Sequence, residues 1–155
     1  MKKLFTFFAV FCCFTFAVAQ TTQIVTGHPD FKVKVTRCAA SGKTVVLDMV
    51  FTNVSANDVE DWQIWTNTGT LSVVYDSEGN IYEGNKLAVK VSNYDYSNGF
   101  YGMKMISDVP MKVSLQIKGV PETVESLARV DLAVRIPLFN VGSSPVKIKN
   151  IPISR

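Results

Sequence analysis

The stretch Lys43 to Asn53, KTVVLDMVFTN, decides the fold that this sequence predicts. Its apolar face consists of Val45, Leu47, Met49 and Phe51, and its mixed face of Val46, Asp48, Val50 and Thr52. A side-chain period of two residues is that of a pleated strand, whereas an α-helix repeats about every 3.6 residues. We therefore expect the apolar face to lie in a core and the mixed face to meet water. This is the pattern of one layer of a sandwich.

The same alternation recurs along most of the chain after residue 30. Alternating or short apolar segments occur at 31–36, 61–66, 70–75, 81–82, 86–92, 103–106, 113–118, 130–136 and 146–151. Only 121–127 resembles a helical turn, with a proline at its start. Seven to nine short strands with almost no helical periodicity predict an all-β, immunoglobulin-like antiparallel β-sandwich. Because crossover helices are missing from this pattern, it argues against a parallel sheet.

The amino terminus has the three parts of a secretory signal peptide. Lys2 and Lys3 precede an apolar run from Leu4 to Ala19, which ends in Ala17-Val18-Ala19. The run is shorter than the roughly 20 residues of a membrane span, although an uncleaved anchor is the alternative. We predict a signal peptide over 1–19, a flexible lead-in over 20–30 and one sandwich domain over 31–155. The protein is then exported, to the periplasm or beyond the cell.

Charge and cysteine content limit the partners and crosslinks of the exported part. Residues 1–19 hold two of the 16 cations, which leaves 14 cations against 13 carboxylates and a net charge of +1. Nucleic acid and anionic membranes call for clustered lysine and arginine, so this balance favours neither. Cys38 is the one cysteine outside the leader, so it forms no intramolecular bridge. It is either a small buried apolar side chain or an intermolecular thiol.

Four segments carry a family resemblance. KTVVLDMVFTNVS, VYDSEGNIYE, DVPMKVSLQIKG and ARVDLAV, which lie within residues 31–134, resemble the secreted bacterial domain of unknown function 4352. That family is similar to immunoglobulin-like secreted antigens of mycobacteria. Its features here are a long strand that ends in Asn53, an Asp-x-x-Gly-x-x-Tyr turn and a Val-Pro pair before a later strand. The resemblance implies an immunoglobulin-like sandwich in the cell envelope or outside it, and it implies no reaction.

Few residues in the sequence offer catalytic or metal chemistry. His28 is the single histidine, and it lies in the unpatterned lead-in, which is a poor place for a preorganised site with Cys38. Zinc needs three or four such ligands, and the exported part offers two. We therefore expect no cofactor and no enzyme activity.

Acidic residues leave two alternatives open. Oxygen ligands for calcium could come from Asp76, Glu78, Asn80 and Glu83, but their spacing differs from the EF-hand pattern, and an ordinary turn explains them. The acids Asp58, Glu60, Asp61, Asp95 and Asp108 would have to supply a facing carboxylate pair if the protein were a carbohydrate-active enzyme. Clustered acids beside a loop are more often solvated, so we prefer that interpretation.

Aromatic side chains are the strongest candidates for a binding site. The predicted binding residues are Trp62, Trp65, Tyr94, Tyr96, Phe100 and Tyr101. Because Trp62 and Trp65 are three apart, an extended strand turns them to opposite sides. Exposed aromatic rings bury much area on binding at low entropic cost. The sequence thus favours a non-catalytic module that binds an envelope protein or a polysaccharide, with a structural assembly subunit as another alternative.

Overall fold

The computed structural model describes residues 21–67, 72–137 and 141–155. The predicted signal peptide, residues 1–19, lies outside these ranges, as does the start of the predicted strand at 70–75. The eleven strands within them are β1 (Gln23–Val25), β2 (Phe31–Ser41), β3 (Thr44–Asn53), β4 (Val59–Trp65), β5 (Val73–Asp76), β6 (Ile81–Tyr82), β7 (Leu87–Val91), β8 (Gly99–Met105), β9 (Met111–Lys118), β10 (Ser126–Ile136) and β11 (Val141–Pro152). One 3₁₀ turn covers Gly84–Lys86.

The strands form two antiparallel sheets that pack face to face. A seven-stranded sheet has the order β1-β11-β10-β4-β8, with β5 paired to β10 and β6 paired to β5. A four-stranded sheet has the order β2-β3-β9-β7. The predicted all-β antiparallel sandwich is confirmed. The strand count exceeds seven to nine because β1, at three residues, is too short to show an alternation and lies in the predicted lead-in.

The predicted apolar face of β3 lies in the core. Its residues Val45, Leu47, Met49 and Phe51 are at most 1% exposed, and they share one apolar cluster with Leu115 and Leu132. Phe51 joins the two sheets, because its ring lies edge to face with Phe31 at 5.2 Å and with Trp62 at 6.0 Å. The other face of β3 is half-buried, as its mixed composition predicts.

Two local expectations differ from the structure. Residues Gln23–Val25 of the predicted lead-in form β1, which pairs with β11 and packs Ile24 against the core. The predicted helical turn at 121–127 is a tight turn in which the Val124 amide donates to the Pro121 carbonyl at 3.2 Å, and β10 follows at once. Val124 is fully buried there, so tertiary packing decides this segment. In the described ranges no helix is long and apolar enough to cross a membrane.

Chain segments form hydrogen bonds with both edge strands of the four-stranded sheet, β2 and β7. On one side, Ser154 exchanges backbone hydrogen bonds of 2.9 Å with Cys38 and Ala40 of the edge strand β2. On the other side, the loop at 92–98 runs beside β7, where Ser97 and Val89 exchange two backbone hydrogen bonds of 2.8 Å. This second closure brings the aromatic loop onto the four-stranded sheet.

Candidate functional site

Trp62 is a core residue, which corrects its assignment to the binding site. It is fully buried, and its indole Nε1 has no hydrogen-bond acceptor among the described atoms. The cause is an irregularity in β4, where the register shifts between Val59 and Trp62 and Asp61 has a φ of 54°. Glu60 and Asp61 both point outward at this bulge, so Val59 and Trp62 both point inward.

Trp65 and Tyr101 form a stacked pair on the outer face of the seven-stranded sheet. Their ring centroids lie 6.3 Å apart, with an interplanar angle of 19°. Trp65 is half-buried, whereas Tyr101 is 58% exposed. Gly99 makes the pair possible, because a Cβ there would lie 2.9 Å from Trp65 Cβ and 3.2 Å from Tyr101 Oη. We call this pair the aromatic platform.

The remaining predicted aromatics occupy two other places. Phe100 is half-buried against the core, and the exposed Tyr94 lies 5.7 Å from its ring. Tyr96 lies over the four-stranded sheet, with Lys90 Nζ 6.0 Å from its ring centroid. Burial raises the pKa of Tyr96, and the Asp48 carboxylate raises it further. The six predicted residues therefore form no single site. Tyr94, Tyr96 and Tyr101 are each exposed, and the platform is the pair that stacks on the outer face of the seven-stranded sheet.

A polar row that sequence reasoning missed crosses the four-stranded sheet beneath Tyr96. Arg37, Asp48, Ser114 and Lys90 lie opposite one another on its outer face. Arg37 Nε donates to Asp48 at 2.8 Å, and Ser114 Oγ donates to the same carboxylate at 2.6 Å. No short sequence motif signals this row, because its members come from four different strands.

Two of the clustered acids, Asp58 and Glu60, share one lysine as a counter-ion. Lys104 Nζ lies 3.2 Å from Asp58 and 2.8 Å from Glu60. The Ser107 amide and Lys104 both donate hydrogen bonds to Asp58 and lower the pKa of its carboxyl group. A glycosidase general acid needs a raised carboxyl pKa, and the lowered pKa of Asp58 does not meet that requirement.

The other candidate acids have separate surroundings. Asp61 accepts a hydrogen bond of 2.9 Å from Gln63 and lies 3.9 Å from Arg135. Asp108 is exposed in a turn with a φ of 57°, where its amide donates to the Asn53 carbonyl. Asp95 is exposed in the loop at 92–98. Asp58 and Glu60 thus share Lys104, whereas each of these contacts of Asp61 and Asp108 involves one acid.

Asp76 organises the turn at residues 76–80, for which calcium binding was the alternative interpretation of the sequence. Its carboxylate accepts hydrogen bonds from the Glu78 and Asn80 amides at 2.9 Å, from Asn80 Nδ2 at 2.8 Å and from Tyr82 Oη at 2.7 Å. Protein donors thus occupy both carboxylate oxygens. In the described residues no group of three or more His, Cys, Asp or Glu side chains is arranged to hold a metal ion. The contacts of Asp76 are those of a structural turn.

Cys38 and His28 have structural contacts. The Cys38 thiol is 6% exposed in the core, and burial raises its pKa to about 12, with a smaller contribution from Asp48. At neutral pH it is protonated and covered, which favours the buried alternative over an intermolecular thiol. His28 Nδ1 accepts a hydrogen bond of 3.1 Å from the Asp30 amide.

Comparisons with known proteins identify no family. No protein-family model matches the chain, and no curated protein matches it. Among solved structures the chain is similar to a family 123 glycoside hydrolase from Clostridium perfringens, with a TM-score of 0.42 and 11% identity. The similarity covers 70% of this chain and 21% of the hydrolase, so it spans about a fifth of that protein. At this TM-score the likeness carries no information about activity, and the resemblance to domain family 4352 stays a prediction.

Proposed function

We propose that this protein is an exported, non-catalytic module that binds a polysaccharide on the aromatic platform formed by Trp65 and Tyr101. The carrying observation is that two nearly parallel rings are presented on the outer face of a paired sheet. Strand backbones hold both rings, so binding requires little further ordering of the chain. The flat apolar face of a sugar ring can cover an exposed tyrosine ring of this kind.

The chemistry of the other candidate groups supports a role without catalysis. The Cys38 thiol is buried, and the Asp76 carboxylate is saturated by four hydrogen-bond donors. Asp58 and Glu60 share Lys104 as a counter-ion. Burial, hydrogen bonds or a counter-ion thus account for the position of each of these groups without a reaction.

A glycan array, followed by titration calorimetry with the best polysaccharide, tests the proposal. Tyr101→Ala and Trp65→Ala should each weaken binding about tenfold or more, since a tenfold change corresponds to about 1.4 kcal/mol. Tyr94→Ala is the matched control, because that tyrosine is 56% exposed but lies outside the platform. Equal affinity of all three variants and wild type would refute the platform. Binding only to envelope proteins would overturn the polysaccharide assignment.

Export is tested separately. Expression of the full chain in a bacterium, with mass spectrometry of the fraction outside the inner membrane, should give a product that begins at Gln20. Ala19→Arg should block processing, because the peptidase requires small side chains at that position. A product that retains residues 1–19 in the cytoplasm would contradict the proposed export.

A further inference from the structure

The outer face of the four-stranded sheet collects basic side chains. Its outward strand positions carry Lys32, Lys34, Arg37, Lys90, Lys112 and Lys118, which we call the basic face. The one carboxylate at these outward positions is Asp48. Six cations and one carboxylate give this face a formal charge of +5.

Strand pairing, not sequence proximity, assembles the basic face. Lys34 and Lys112 flank Val50 in one cross-strand row, so the two lysines lie two strands, or about 10 Å, apart. Lys32 and Lys34 alternate along β2, and a bulge in β2 turns Arg37 to the same side. Lys32, Lys34 and Arg37 therefore follow one another along β2, with Lys112 in the row of Lys34 and Lys90 in the row of Arg37, whereas Lys118 lies towards the other end of the sheet.

The small net charge of the protein gives no indication of these clustered cations. Residues 20–155 carry a net charge of +1, so the surface outside the basic face carries −4. The mean charge therefore favours the approach of a polyanion to the four-stranded sheet over its approach to the rest of the surface.

We propose that the basic face binds a linear acidic polysaccharide through its carboxylate groups. Lysine ammonium groups are compact point charges, and they can pair with carboxylates that are spaced along a flexible chain. Lysines on an edge strand also prevent unwanted pairing, which would account for Lys32 and Lys34. That role does not account for Lys112, because β9 is an interior strand of the sheet.

The shape of the face favours a polymer over a membrane. Membrane-surface binding needs apolar side chains that project into the acyl region. The outward Val46 and Val50 are half-buried between neighbouring strands, and Lys90 lies over the Tyr96 ring. The exposed Val25, Ile81 and Tyr101 belong to the seven-stranded sheet. On the basic face, Tyr96 is 40% exposed, and its ring is the one that Lys90 contacts, so a single aromatic ring and not an apolar surface accompanies the cations.

Titration of the protein with polygalacturonate, a linear polyuronate, tests the inference. The double variant Lys34→Gln/Lys112→Gln should bind about tenfold more weakly at low salt, and the slope of log K against log salt should fall by about one to two. The matched control is Lys147→Gln/Lys149→Gln, which removes the same charge from the outward side of β11. Equal losses in both variants, or no binding by wild type at low salt, would overturn the proposal.

Three further probes separate the explanations. Neutral dextran should not displace polygalacturonate from this face, so a failure of this site is distinguishable from a failure of the aromatic platform. Tighter binding to phosphatidylserine vesicles or to duplex DNA than to polygalacturonate would overturn the polysaccharide assignment. Chemical denaturation should show the four lysine substitutions within about 0.5 kcal/mol each of wild type, as expected for surface changes.

Discussion

Replacing Asp76 with alanine should lower the free energy of unfolding by about 3 kcal/mol. The substitution removes an acceptor of four hydrogen bonds. Water can replace it for the amides of Glu78 and Asn80, because both residues are exposed. Water cannot replace the carboxylate as the acceptor for the hydroxyl of Tyr82, because that residue is 2% exposed. A buried orphan hydroxyl costs about 1–3 kcal/mol, and each hydrogen bond to a charged group contributes about 1.5–3 kcal/mol.

Urea unfolding of a double-mutant cycle measures this effect. Tyr82→Phe alone should cost about 1.5 kcal/mol, because the carboxylate keeps three donors. The double variant Asp76→Ala/Tyr82→Phe should be nearly as stable as Asp76→Ala, since it no longer contains the orphan hydroxyl. Additive losses would refute the proposed coupling. A calcium-dependent rise in the midpoint of wild type that Asp76→Ala abolishes would refute the structural interpretation of the turn.

The same variant has a defined pH dependence. Burial by itself raises the pKa of Asp76, but the hydrogen bonds from Tyr82, Asn80 and Glu78 outweigh it and leave the pKa below its ordinary value. A pKa that folding lowers contributes stability above the unfolded value of about 3.9, and this contribution is lost as the pH falls through the folded value. The difference between wild type and Asp76→Ala should therefore shrink in acid. A difference that stays constant or grows below about pH 4 would contradict this reasoning.

Two further predictions concern buried side chains. Trp62→Ala should cost about 3–5 kcal/mol in urea unfolding, whereas Trp65→Ala should cost far less, because only Trp62 is fully buried; equal losses would contradict the assignment of Trp62 to the core. The Cys38 thiol should react slowly with a disulfide reagent until the protein unfolds, and sedimentation should not depend on reductant. Rapid labelling of the native protein would show that the thiol is accessible.

The candidate sites were only partly predictable. A strict alternation correctly sends Trp62 and Trp65 to opposite sides, but it does not say which one enters the core. The bulge at Asp61 decides that, and bulges depend on the pairing of β4 with β8. Gly99 gave no signal of its own in the sequence, although the approach of Trp65 and Tyr101 requires a residue without a side chain there.

The alternation of β3 determined the fold class, because the pleat of a strand is a local property of consecutive residues. It also placed Leu47 and Phe51 in the interior, as the structure confirms. Only the tertiary structure decided which surfaces those strands present. Lys34 and Lys112 are distant in the chain and meet through the register of β2, β3 and β9. A shift of one residue in that register would turn alternate side chains to the other face, so no count of charges along the sequence could reveal the basic face.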